Sequence, residues 1–369
     1  MKTQTAHILT GLATLIAASI HAQPQYTFTT LDAPLGVQGT IAQGITSTNI
    51  VGYYFDTNSD CHGFLYNGKT WTTLDDPWAA PGSYGTEPIG MSGTNIVGSY
   101  LDPNNNTHGF LYNGSTWTNL DDPHAAPGAV GGTYAQAIDG TIIVGFYGDS
   151  NGCAHGFLLS GANWTTLDDP LAATNSGQGT YPRGISGTNI VGQYLDVSNN
   201  WHGFLFNGST YITVDDPRAP THNGNTALSG ISGTNIVGAY WGSSYQGCLL
   251  SLRGTNSTDW TTLGDPLGVR GTDPQGISGA NVVGIYYDIN GLSHGFLAAP
   301  IPQLTMMHSG NSLKMSWPYT PWIGWTLEQN LDLSTTNWTP SGAPSNDGTN
   351  SFVTVTSPVG NLFFRLRQQ

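Results

Sequence analysis

An all-β chain, a six-bladed β-propeller closed by an N-terminal strand and followed by a small β-sandwich, is predicted by three observations in the sequence. One unit of 46 or 47 residues recurs six times between residues 26 and 299. Each copy holds four short β-type runs separated by Gly, Asn, Asp and Pro. Glycine and proline supply 50 and 21 of the 369 residues while only 9% are charged, a balance that excludes helical bundles and coiled coils. Four strands per unit is the spacing of propeller blades, whereas a parallel β-helix has shorter coils and lacks these antiparallel turns.

The elements follow in chain order. Lys2, an apolar run from Ile8 to Ile20 and the small Ala22 before Gln23 have the layout of a secretory signal peptide over residues 1–22, too short to span a membrane. Tyr26 to Asp32 then reads as an orphan outer strand. The six units follow, marked by Val-Gly at Gly52, Gly98, Gly145, Gly192, Gly238 and Gly284 and by His-Gly-Phe at His62, His108, His155, His202 and His294. In the second unit the strands a to d are expected at Pro88–Ser92, Asn95–Tyr100, His108–Tyr112 and Trp117–Leu120. The sixth unit stops after its c strand at Leu297, so the orphan strand is available to complete it and remove an open sheet edge. This puts the propeller at residues 23–299, a Pro-containing linker at 300–302 and a separate module at 303–369. The module's runs from Ser312, Trp325, Ser351 and Asn361 alternate apolar with polar, as sandwich strands do.

The recurring Gly-Ile-x, Val-Gly-x-Tyr and His-Gly-Phe-Leu-Tyr order resembles the HAF family of bacterial extracellular repeats, with a departure at Gln246-Gly-Cys248. The resemblance implies export and repetition and brings no settled activity. The ending resembles the immunoglobulin-like or fibronectin-like modules at the C-termini of exported bacterial proteins, which more often anchor, space or bind than catalyse.

Composition narrows the function. Nine Lys and Arg against 23 Asp and Glu give a net charge of −14, which excludes recognition of nucleic acid through basic patches. Trp, Tyr and Phe make up 11%, enough with the aliphatic residues to fill a core. Cys61, Cys153 and Cys248 cannot build a disulfide framework and read as tolerated or buried thiols. Apart from the leader, no apolar run reaches membrane length. A secreted or periplasmic monomer is expected.

Strand alternation places the b-to-c and d-to-a loops on one face of the ring, and sixteen of the 23 acidic residues fall there. Most are read as turn formers that cap their own amides. A Ca²⁺ reading rests on Asp56, Asn58 and Asp60, oxygen donors at alternate positions without a downstream acidic ligand; otherwise no cofactor is expected. The five His are separated around the ring and cannot converge on one ion, so each is assigned a hydrogen-bonded role within its own blade.

Candidate site residues come from positions where equivalent units disagree. Just before strand a, near the ring axis, stand Ile41, Glu87, Tyr134, Tyr181, Ala227 and Asp273, and two residues on stand Gln43, Ile89, Gln136, Arg183, Ser229 and Gln275. The channel mouth is therefore expected to gather Glu87 and Asp273 as an acid and base if the protein is an enzyme. Mutual repulsion would raise one of the two pKa values, and Tyr134, Tyr181, Arg183 and Gln275 would contact ligand. Trp78, His124 and Arg218 after the Asp-Pro turns, and Trp201 in a b-to-c loop, extend the surface suited to sugar rings.

Two functions fit. One is an exported protein that binds an extracellular glycan or cell-surface component through an acidic, aromatic-bearing face. The alternative is an extracellular polysaccharide hydrolase or lyase with its site at the channel mouth. No nucleophile elbow, phosphate loop, zinc-protease or dinucleotide motif is present in the sequence.

Overall fold

A computed structural model describes residues 26–82, 85–128, 131–220, 226–242, 244–253, 257–309, 312–318, 324–348, 350–356 and 362–368. The expected signal peptide lies outside the described residues. Among those residues the chain is all β with no helix.

The six units give six antiparallel stacks of four strands. In the second unit these are Thr86–Ser92, Asn95–Leu101, Thr107–Tyr112 and Trp117–Leu120. Strand a thus begins two residues earlier than its sequence suggests, because Thr86 and Glu87 pair with Tyr100 and Ser99. The third and fourth stacks are also joined by one parallel pair, Ala154 with Gly179. The a strands, Thr40–Thr46, Thr86–Ser92, Gly132–Asp139, Gly179–Ser186, Thr226–Ser232 and Thr272–Ser278, contact one another in cyclic order, the last also touching the first.

The sixth stack takes its fourth strand from the N-terminal end. Tyr26–Leu31 runs antiparallel to Ser293–Pro300, from Tyr26 opposite Pro300 to Leu31 opposite Gly295. The c strand therefore extends to Pro300 instead of stopping at Leu297, and the stretch after it begins at residue 301. Two polar contacts repeat here what the other stacks make internally. Asp32 accepts a bond from His294 Nδ1 at 3.0 Å, as Asp75 does from His62 at 2.9 Å. Thr30 meets the Tyr286 hydroxyl at 3.1 Å, as Thr73 meets Tyr54.

The recurring residues explain themselves by packing. A Cβ on Gly98 would run into the Glu87 carbonyl and lie 2.8 Å from the Phe110 ring, so the Val-Gly glycine lets strands a and b close over the buried Phe of strand c. Phe64, Phe110, Phe157, Phe204 and Phe296 are all fully buried, each at the centre of its own apolar cluster. A Thr in each a strand accepts the backbone N–H of the preceding loop, as Thr86 does from Asp76 at 2.7 Å and Thr272 from Asp265 at 2.9 Å. Cys61, Cys153 and Cys248 are buried free thiols.

Beyond Pro300, the sheet built on Thr305–Ser309, Ser312–Pro318 and Asn350–Thr356 and the sheet built on Trp325–Asn330 and Phe363–Gln368 share one apolar cluster around Met315, Trp317, Leu327 and Val353. The expected strand start at Asn361 lies outside the described residues.

Deleting residues 23–32 should expose the edge of Ser293–Pro300 and strip His294 of Asp32. We expect a lower melting temperature and aggregation, read by circular dichroism and light scattering. An equally soluble and stable truncation would show that the ring does not depend on this strand.

Candidate functional site

Each a strand carries one residue more than its partner needs. The register slips between Ala42 and Gly44, Pro88 and Gly90, Ala135 and Ala137, Pro182 and Gly184, Leu228 and Gly230, and Pro274 and Gly276. The extra residues are Gln43, Ile89, Gln136, Arg183, Ser229 and Gln275. A bulge leaves its extra residue unpaired and re-aims its side chain. All six line a single cavity of ≈ 90 Å³ enclosed by the a strands.

Two residues before each bulge stand Glu87, Tyr134, Tyr181 and Asp273, within the a strands and not ahead of them. Arg183 links several of them: its Nη1 donates to Gln136 Oε1 at 2.8 Å and its guanidinium lies 5.6 Å from the Phe146 ring centre. Its charge also acts on Asp273 of the sixth unit and Tyr181 of the fourth. Gln275 bonds to the Asp273 carboxylate, and Glu87 acts on the phenols of Tyr53 and Tyr134.

Half-buried rings surround these polar groups. Tyr134 stacks on Phe146 at 4.6 Å, Phe146 meets Tyr181 edge-on at 5.0 Å, and Tyr181 contacts Trp201 at 5.2 Å. A second run joins Trp241 to Tyr245 at 4.2 Å and Tyr245 to Tyr287 at 5.9 Å, and the Tyr53 phenol feels Tyr287. Trp201 opens the c strand Trp201–Phe206; it is not in the b-to-c loop where its sequence neighbours suggested. Phe146, Tyr53, Trp241, Tyr245 and Tyr287 were missed. Tyr53 and Phe146 fill the variable place of Val-Gly-x-Tyr, where the other units carry Ser99, Gln193, Ala239 and Ile285, and that variation was the available signal.

The carboxyls at the mouth are perturbed, though not by each other. Burial raises Glu87 from 4.5 to about 7, and burial raises Asp273 from 3.8 to about 7 against the opposing pull of Arg183 and Gln275. The expected mutual repulsion is absent because one unit separates them and neither contributes to the other's shift. Both are desolvated by their walls.

Trp78, His124 and Arg218 stand apart from the mouth. Trp78 is 50% exposed and, with Tyr100 and His108, lines an outer groove between the first and second units. The His124 side chain turns to Asp122 at 3.1 Å, and Arg218 is committed to Asp216 at 2.6 Å and Thr262 at 2.6 Å.

The repeated His and Asp are structural. Each His donates through Nδ1 to the first Asp of the d-strand end, at 2.7–3.1 Å, and stacks on the motif Tyr, as His108 does on Tyr100 at 5.2 Å. The second Asp of each pair is buried and caps the amide two residues on, as Asp76 does for Trp78. Part of the acidic face's charge is therefore internal. Asp56 accepts from the amides of Asn58 at 2.7 Å and Asp60 at 2.9 Å, the turn-forming arrangement. Among the described residues no group of three or more His, Cys, Asp or Glu is placed to share a metal ion. Backbone donation, first from Asn106, holds the equivalent Asp102 at about 2.

Because folding raises the pKa of Glu87 and Asp273, the native state holds more protons than the unfolded chain between about pH 4 and 7. Their contribution to stability is full below pH 4 and is lost as pH rises through 7. We expect the melting temperature to fall from pH 5 to pH 8 and the double variant Glu87→Gln, Asp273→Asn to flatten that fall. An unchanged slope in the double variant would contradict the desolvation.

No family model and no curated protein matches the chain. Among solved structures, the chain is similar to the fucose-recognising lectin of Aleuria aurantia, described as a six-bladed β-propeller, at 14% identity and a TM-score of 0.44, covering 84% of this chain and 97% of that one. It is also similar to a triple arginine-to-alanine mutant of AofleA from Arthrobotrys oligospora, at 11% identity and a TM-score of 0.43, covering 92% of each.

Proposed function

We propose that the protein is an exported, HAF-type carbohydrate-binding β-propeller, closed into six blades by its N-terminal strand and carrying a small C-terminal β-sandwich, and that a glycan is received at the mouth of the ring. One observation carries this reading: two runs of half-buried aromatic rings border the same opening as a guanidinium, two carboxyls and two amides. Pyranose rings present an apolar C–H face to aromatic surfaces and hydroxyl edges to polar side chains, and this opening offers both. No helix of the described residues is long and apolar enough to cross a membrane.

Hydrolysis is a second reading, favoured by Glu87 and Asp273 both titrating near pH 7, where one can hold a proton as acid while the other is ionised. Incubating the protein with a panel of immobilised and soluble glycans, and following both retention and new reducing ends or unsaturated products, separates the two. We expect retention without products, weakened about tenfold by Tyr181→Ala or Trp201→Ala, a loss of about 1.4 kcal/mol. Product release abolished by Glu87→Gln and Asp273→Asn would establish catalysis instead.

A further inference from the structure

The charges at the mouth do not balance. Asp273 has Arg183 and Gln275 as partners. Glu87 has neither a hydrogen bond nor an ion pair among the described residues, and only the Tyr53 and Tyr134 phenols and the Cys61 thiol feel its charge. The six units carry just five Lys and Arg. Arg218 is committed to Asp216, Lys69 sits in a c-to-d turn on the far face from the mouth, and neither these nor Arg270, in the last d-to-a loop, shifts Glu87.

A desolvated carboxylate without a partner is costly, and the cost is recovered when a cation arrives. Here Glu87 lies in Thr86–Ser92, the strand that packs against Asn49–Phe55 of the first unit, which carries Tyr53, and against Gly132–Asp139 of the third, which carries Tyr134. Carboxylate beside aromatic faces is the combination that holds an ammonium group, through ion pairing and cation–π attraction. A neutral sugar could donate a hydroxyl to Glu87 but would bring no opposite charge to it. The chain's charge of −14 also draws cationic polymers and repels anionic ones.

We propose that Glu87, between Tyr53 and Tyr134, seats a protonated amine, so that the glycan taken at the mouth is an amino sugar with a free amino group. The inference rests on the glycan reading above and adds the ligand's charge to it.

The test is calorimetric titration of the full chain at pH 7 with a glucosamine hexamer and with its fully N-acetylated counterpart, which differ at every ring by an amine that can be protonated. We expect the free-amine oligomer to bind at least tenfold more tightly, the advantage to shrink with added salt, and Glu87→Gln to abolish it. Tyr53→Leu, with folding checked by its melting curve, should reduce the advantage and guards against a Glu87 variant that fails to fold. Equal or tighter binding of the acetylated oligomer, or an advantage that survives Glu87→Gln, overturns the proposal. If neither hexamer binds while neutral glycans are retained, the amine assignment falls and the glycan reading stands. If no glycan of any class is retained, both fall.

Discussion

The candidate site depends on one extra residue in each innermost strand. Without the bulge, strict alternation would carry the positions on either side of it to opposite faces along the whole strand. With it, Gln43, Ile89, Gln136, Arg183, Ser229 and Gln275 turn into the ring's neck, and Glu87 and Asp273 stand two residues away at its opening. The slip is tolerated because the residue after it is Gly in five units, Ala137 being the exception, and the neighbouring a strand packs directly on it. A Cβ on Gly90 would lie 2.7 Å from the Gln136 carbonyl and one on Gly230 would lie 3.0 Å from the Gln275 carbonyl. Close approach of six strands and the turning of six side chains are therefore one constraint seen twice.

That constraint separates the residues that hold the ring from those that distinguish its copies. The Thr clasp and the Val-Gly glycine recur in all six units, and the buried Phe and the His–Asp–Tyr contact in five, so none can give the molecule a unique site. Exposed His–Asp contacts each contribute little, since solvent screens them. Burial of five Phe side chains, at about 1.5–3 kcal/mol each, outweighs them. The mouth reverses these proportions: its aromatic and charged groups are half-buried, unequal from unit to unit, and in the case of Glu87 unpaired.

The period, the strand order and the pairing of Tyr26–Leu31 with the last c strand were legible because repetition makes each landmark visible six times. The structural role of the His was legible for the same reason. Strand starts were not: Thr86 and Glu87 carry no β pattern of their own and join the strand only through Tyr100 and Ser99. The polar half of the mouth could be read from unequal a-strand positions. The aromatic half lay hidden in the x of Val-Gly-x-Tyr and in Trp241, Tyr245 and Tyr287, where hydrophobic residues read equally well as core. The cause of the carboxyl shifts was also beyond the sequence, because charge separation is visible from ring order but desolvation depends on which walls close around each group.

The central claim is that ligand enters at the mouth, over the bulged strands, and not in the outer grooves between units. Hydrogen–deuterium exchange of the full chain, with and without a retained glycan, measures this directly. The account predicts protection at the b-strand ends and c-strand starts that carry Tyr53, Phe146, Trp201, Tyr245 and Tyr287. Protection confined to the loops around Trp78, His124 and Leu171 would contradict it.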